Sequence, residues 1–129
     1  MTKNLKISII IAGVLLLIAS GLFIFSYYAK NKQMNSTDKF AQCLKDKGVK
    51  FYGSWQCPHC VAQKEMFGVS KKYLPYTECA EKDGRTQTKA CEDAGIRAYP
   101  TWRFSDGTEK TGRLSIETLA QRTGCPLSK

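Results

Sequence analysis

The chain has 129 residues, six cysteines, a single histidine and a formal net charge of +9. From Lys30 onward there are 18 Lys and Arg against 11 Asp and Glu, a net +7, with the basic residues standing singly; this reads as a solvated surface and gives no motif for nucleic acid. The lone histidine lies between two cysteines and no second ligand pair with matching spacing exists, so the composition also argues against a zinc site.

The first element is an apolar run from Ile7 to Tyr28, 22 residues with no ionisable group except the two terminal tyrosines. As a helix rising roughly 1.5 Å per residue it can cross about 30 Å of hydrocarbon. A cleaved secretory signal has an apolar core of only about 7–15 residues before a small-residue cleavage site. Ala19-Ser20-Gly21 resembles such a site, yet Leu22-Phe23-Ile24-Phe25 carries the run past it, so a retained signal anchor is expected. Lys3 and Lys6 before the run are opposed by Lys30, Lys32 and Lys39 after it, which leaves the orientation open on charge. Cysteine usage decides it: several cysteines far from the closely spaced pair fit structural disulfides, which places the following domain outside the cytoplasmic membrane, on the periplasmic or cell-surface side. The organisation is an anchor at 1–29, a polar linker at 30–36 and one domain at 37–129. A domain of roughly 90 residues buries a modest core, which makes disulfide staples useful.

In the domain a first helix is predicted from Thr37 to Lys47, capped by Ser36 or Thr37, with Phe40, Cys43 and Leu44 on its apolar face and Gly48 as its stop. Val49 to Trp55 reads as a strand. A second helix begins at Cys57-Pro58-His59-Cys60, with Ala62, Met66, Val69 and Tyr73 at helical spacing, a bend at Gly68 and an end no later than Pro75. Tyr76 to Cys79 is a short strand, the segment around Gly84 a loop, and Lys89 to Ala94 a helical turn closed by Gly95. Tyr99 to Phe104 is a strand that Asp106-Gly107 turns back into another ending near Leu114, a hairpin. Ser115 caps the last helix, Leu114 and Leu119 form a hydrophobic staple, and Gly124 with Pro126 stops it. The order βαβ, helical turn, ββα defines an α/β fold, a mixed sheet with helices on both faces.

The chemistry is concentrated at Cys57-Pro58-His59-Cys60. At a helix start, unpaired backbone N–H groups and the positive end of the dipole favour a thiolate at Cys57, a good nucleophile and leaving group. Cys60 follows one turn further along the same helix. Pro58 sits where a missing N–H costs nothing, and His59 adds hydrogen bonding or positive charge beside Cys57. A static staple is the alternative use of two such cysteines, and Pro-His between them at a helix start argues for exchange. The four other cysteines admit three pairings. The aromatic residues Phe51, Tyr52, Trp55, Trp102 and Phe104 read as core or groove lining.

A strand ending in CPHC, then Ala94-Gly95-Ile96-Arg97-Ala98-Tyr99-Pro100-Thr101, then a hairpin and a terminal helix, resembles the thioredoxin superfamily over nearly all of 37–129. More narrowly, Phe51-Tyr52-Gly53, Tyr76-Thr77-Glu78-Cys79, Cys91-Glu92-Asp93-Ala94-Gly95-Ile96, Tyr99-Pro100-Thr101-Trp102 and Gly124-Cys125-Pro126-Leu127 resemble the thioredoxin-like domain associated with bacterial vitamin K epoxide reductase homologues. The CPHC motif is also similar to that of the DsbA-type oxidants. The resemblance implies a thioredoxin-like mixed sheet flanked by helices, preceded by the one transmembrane helix. It further implies Cys57 as nucleophile, Cys60 as resolving thiol, and Pro100 as a cis proline facing them, in a substrate groove with Tyr99 and Trp55. Cys79–Cys91 match paired positions of the family and flank a loop; closing it would stabilise by roughly 3 kcal/mol in the chain-entropy model. Cys43–Cys125 is then the remaining pair. The chain departs from the thioredoxin pattern at Gln56, where an aromatic residue commonly precedes the first cysteine, and at Phe51, where a buried carboxylate commonly sits. Lys64, Glu65 and water are therefore the candidates for proton transfer to Cys60.

The resemblance implies a membrane-anchored thiol–disulfide oxidoreductase needing no cofactor or metal of its own. It would take electrons from reduced or misfolded secreted proteins and hand them to a quinone-linked membrane oxidase of the vitamin K epoxide reductase type. A single span cannot supply the helical bundle that quinone chemistry needs, so that oxidase is a partner. The alternatives are a membrane-tethered reductase or isomerase, with electron flow reversed, and a non-catalytic disulfide-stapled adaptor.

Overall fold

The computed structural model describes residues 2–30 and 34–127, the side chains of 27–30 excepted. It divides into two compact units, one holding the N-terminal helix and the other beginning at Met34. Of the linker expected at 30–36, residues 31–33 lie outside the described residues; Lys30 ends a helix and Ser36 begins one.

Helix α1 spans Lys3–Lys30, and its stretch Lys3–Ser26 is long and apolar enough to cross a membrane, with a mean hydropathy of 2.8. Its apolar side chains face outward all round: Leu16, Leu17, Phe23 and Phe25 are each more than seven-tenths exposed. Such a helix is suited to a hydrocarbon solvent. Its hydroxyls are satisfied internally, Ser8, Ser20 and Ser26 donating to the carbonyls of Asn4, Leu17 and Leu22 one turn back.

The second unit opens with α2, Ser36–Asp46, packed through Phe40, Ala41 and Leu44. Its cap is Asn35, one residue before the expected Ser36 or Thr37. The Asn35 side chain accepts from the Asp38 N–H at 2.8 Å and Asp38 accepts from the Asn35 N–H at 3.2 Å. A reciprocal box needs an acceptor three residues after the cap, and only Asn35 has Asp38 at that distance.

Four strands form one mixed sheet in the order β2-β1-β3-β4. β1 (Lys50–Gly53) runs parallel to β2 (Tyr76–Glu78) and antiparallel to β3 (Thr101–Arg103), which pairs antiparallel with β4 (Glu109–Thr111). Adjacent residues of a strand face opposite sides. Phe51 stacks on Trp102 at 4.4 Å between centroids, in a core with Phe40, Leu44, Phe67 and Leu119, so α2 and α5 (Ile116–Thr123) cover that face. Tyr52 turns the other way, into a smaller cluster with Cys79, Cys91 and Ile96, beneath α4 (Lys89–Asp93). The sheet thus carries helices on both faces, as the sequence order predicts. The Asp106-Gly107 turn, the Ser115 cap and the left-handed Gly124 stop of α5 stand where expected; Gly107 has φ +82 and Gly124 φ +70.

The second helix of the domain is shorter than its apolar spacing suggests. α3 covers Pro58–Glu65, and a 3-10 turn follows at Gly68–Tyr73. Gly68 takes φ +52, a left-handed value that ends regular α-helix. Three residues per turn then bring Phe67 and Ser70 inward. Met66 and Val69, expected on the buried face, are 42% and 77% exposed.

Candidate active site

β1 delivers the chain to Ser54, whose carbonyl accepts from the Cys57 N–H at 3.1 Å in a tight turn. Cys57 is the N-cap of α3 in extended backbone, φ −80 and ψ 114, and Pro58 occupies the first turn, where no N–H is needed. The Cys57 carbonyl accepts from the N–H groups of Cys60 and Val61, both at 3.0 Å. Its side chain is therefore carried at the end of the helix where the orphan N–H groups gather.

Cys57 and Cys60 are free thiols with contrasting surroundings. Cys57 is half-buried, with Pro58 and His59 exposed beside it, while Cys60 has no exposed surface. Burial pushes the Cys60 thiol up to about 12; the Ser54 backbone N–H and the charge of Lys64 pull the other way, and neighbouring Cys57 adds to the rise. One sulfur is open to a partner and the other is held as a thiol one turn away. Across the site, Cys57 Sγ donates to the Tyr99 carbonyl at 3.8 Å, and the Tyr99–Pro100 bond is cis with Pro100 buried. Two segments 42 residues apart in sequence meet here.

The floor of the site is made by what Gly53 lacks. A β-carbon on Gly53 would lie 2.9 Å from Cys60 Sγ and 3.0 Å from Tyr76 Cε2, so both groups fill the place of a side chain. The Tyr76 hydroxyl donates to Glu78 at 2.7 Å, and Lys64 Nζ stands 4.3 Å from the Tyr76 ring centroid. Burial first, and then the Glu78 hydrogen bond, hold the Tyr76 hydroxyl far above its ordinary range. Glu78 also accepts from the N–H groups of Trp55 at 3.1 Å and Ala80 at 3.0 Å, fixing the approach to Cys57 against the end of β2.

Of the three proton-transfer candidates, Lys64 lies at the site. Glu65 does not: it is exposed and paired with Lys71 at 2.6 Å, pointing away along α3. Trp55 is half-exposed beside Cys57. Tyr99 is half-buried, its hydroxyl accepting from Gln87 at 2.6 Å, and it borders an open cleft of about 520 Å³ lined by Gln87, Glu92, Gly95, Ile96 and Arg97. The exposed Gln56 reaches the loop after Cys79, where a β-carbon on Gly84 would come within 1.7 Å of its amide nitrogen. The four remaining cysteines form two disulfides, Cys79–Cys91 and Cys43–Cys125.

Three residues of the site escaped the sequence. Gln63 is fully buried, accepts from the Leu114 N–H at 2.7 Å and donates to the Leu114 carbonyl at 3.0 Å, pinning α3 to the segment before α5. Glu78 and Tyr76 meet as neighbours on one face of β2, two residues apart. Polar type at an inward position was the available signal for all three, but only the register of β2 against β1 shows that Tyr76 and Glu78 adjoin the cysteines.

Sheet order, a cysteine pair on the N-terminal end of α3 and a cis proline opposite it make the fold thioredoxin-like. No protein-family model matches the chain. Over 93 residues it is 41% identical to the thiol-disulfide oxidoreductase LTO1 of Arabidopsis thaliana, an alignment covering 69% of this chain. The chain spans about a quarter of that relative's length, 24%.

Proposed function

We propose that the chain is a membrane-anchored thiol–disulfide oxidoreductase. In this reading its second unit lies outside the cytoplasmic membrane, oxidises the thiols of reduced or misfolded secreted proteins, and passes the electrons to a quinone-linked membrane oxidase of the vitamin K epoxide reductase type. The observation that carries it is the asymmetry of the free cysteine pair, Cys57 accessible at a helix end and Cys60 sealed one turn behind it, while Cys43, Cys79, Cys91 and Cys125 are already bonded. The likeness to a relative named for thiol–disulfide exchange supports it, and the apolar α1 supports the anchor.

The exchange runs in two displacements. A substrate thiolate attacks Cys57 Sγ of the Cys57–Cys60 disulfide; a substrate–Cys57 bond forms, the Cys57–Cys60 bond breaks, and Cys60 leaves with the electron pair and takes up a proton. A second substrate thiolate then attacks the substrate sulfur of this mixed disulfide; the substrate disulfide forms, the substrate–Cys57 bond breaks, and Cys57 leaves with the electron pair, giving oxidised substrate and a reduced pair. The oxidase removes two electrons and two protons to restore the disulfide.

Substitution of Cys60→Ser removes the resolving thiol, so a Cys57 thiolate that attacks the disulfide of a secreted protein, displacing one of its two sulfurs, should stay bound to the other in a mixed disulfide that mass spectrometry can identify. Substitution of Cys57→Ser should abolish turnover of a reduced, unfolded substrate; turnover that survives it points to the adaptor reading. The resting state in cells gives the direction: a largely oxidised pair supports the oxidase route, a largely reduced pair the reductase or isomerase. On the oxidising reading the potential lies in the upper half of the span from about −270 to about −120 mV between thioredoxin and DsbA, measured against glutathione.

A further inference from the structure

Cys60 must lose a proton to close the disulfide and gain one when it opens, yet it is fully buried and Phe51, an apolar ring, fills the neighbouring strand position below it. We infer that Tyr76 carries this proton, handing it between Cys60 and the carboxylate of Glu78. The inference rests on the exchange reading above and adds the path by which that site exchanges protons with solvent.

Three observations support the path. Cys60 Sγ and Tyr76 Cε2 lie 2.9 and 3.0 Å from one point, the missing β-carbon of Gly53, so no more than 5.9 Å separates them. Cε2 adjoins the ring carbon that bears the hydroxyl, which puts the O–H within about 8 Å of the thiol, a gap that water can bridge. Beyond it, the hydroxyl already donates to Glu78 at 2.7 Å, and Glu78 is only half-buried, so its carboxyl can exchange with bulk water. Burial opposes a tyrosinate here, so the phenol works as a neutral conductor and never as an ion.

When Cys60 attacks a mixed disulfide on Cys57, its S–H bond breaks as its proton passes through water to the Tyr76 oxygen and the original Tyr76 proton passes to Glu78. The Cys57–Cys60 bond forms, and the displaced thiol leaves with the electron pair. When a substrate opens the disulfide the same protons run back, from Glu78 through Tyr76 to the departing Cys60. The groups that act on Cys60 are the Ser54 backbone N–H, Cys57 at the cap of its helix, Lys64 on that helix and Tyr76 on β2, with Glu78 behind it. Lys64, over the Tyr76 ring, stabilises negative charge at the thiol during transfer.

The test uses the full chain in detergent micelles. Reduced protein is mixed with oxidised glutathione, and resolution of the Cys57–glutathione mixed disulfide is timed by acid quench and mass spectrometry between about pH 5 and about pH 9. Loss of one positioned proton carrier typically slows such a step on the order of 10²-fold, so Tyr76→Phe and Glu78→Gln should each slow resolution by about that factor near neutral pH and flatten its pH profile. Alkylation of Cys57 by iodoacetamide should stay within about twofold, which a general loss of structure would not allow. Tyr76→Phe keeps the ring and its packing, so it remains informative if Glu78→Gln loosens Trp55 and Ala80. Unchanged resolution in Tyr76→Phe at every pH overturns the proton path and leaves the exchange reading standing. Failure of the unaltered chain to form a Cys57 mixed disulfide overturns both.

Discussion

Gly53 is the position at which the site tolerates least. Its conformation is accessible to any residue, but its β-carbon would meet Cys60 Sγ at 2.9 Å and the Tyr76 ring at 3.0 Å. Both neighbours are hemmed in, so Gly53→Ala should destabilise by about 1–3 kcal/mol, the usual cost of overpacking. It should also slow resolution by Cys60; thermal melts and exchange kinetics on the same preparation check the two effects. Cys60 makes a second prediction, on pH. An unfolded chain releases this proton near the ordinary value of 9.0, while the folded dithiol keeps it to about 12. In that window the folded state binds more protons than the unfolded one, so dithiol stability is fully present below pH 9 and falls as pH rises. The disulfide form has no such proton, and the two largest causes that raise Tyr76, burial and the Glu78 hydrogen bond, are common to both forms. The melting temperature of the dithiol should therefore drop relative to that of the disulfide between about pH 8 and about pH 11. Equal slopes for the two forms would contradict the burial of Cys60.

At the scale of elements, short pieces are held by links between distant parts. α4 has five residues and β2 and β4 three each, too few to persist by local propensity. The Cys79–Cys91 bond spans a separation of 12 and joins the end of β2 to α4; Cys43–Cys125 spans 82 and joins α2 to the segment after α5. In the chain-entropy model such loops contribute about 3 and about 4.5 kcal/mol. Paired Cys→Ser substitutions should therefore lower the denaturant midpoint more for Cys43/Cys125 than for Cys79/Cys91. Loss of Cys79–Cys91 should cost more exchange activity per unit of stability, because that bond anchors the β2 end from which Glu78 holds the Trp55 N–H. The reverse ranking of activity would show that the loop before Cys57 holds itself.

For the molecule as a whole, the decisive quantity is the side of the membrane on which Cys57 works. Scattered disulfides among the described residues fit an oxidising compartment. A membrane-impermeant maleimide applied to intact, mildly reduced cells should label Cys57 to within about twofold of the level after lysis, a Cys57→Ser chain serving as the control, since lysis changes which side the reagent reaches and not the reactivity of a partly open thiol. Labelling that requires lysis would put the domain in the cytoplasm and remove the proposed route for electrons.

Signals carried by neighbours in the chain were legible without coordinates. An apolar run long enough for a bilayer, two cysteines with proline between them after a strand, a turn at Asp106-Gly107 and a glycine stop at Gly124 each depend on a few adjacent residues, whose local energetics the sequence states directly. Where local signals competed, it misled: Met66 and Val69 keep helical spacing, but Gly68 breaks the helix and turns both outward. Tertiary structure alone decided that Tyr76 and Glu78 rather than Glu65 stand by Cys60 and that Gln63 ties α3 to Leu114, while the meeting of Tyr99 with Cys57 and the pairing of the other four cysteines were open to the residues themselves and implied only by the family resemblance. Those contacts join residues up to 82 apart. They follow from strand register and from which side chains fill which voids, and neither is a property of any short stretch of chain.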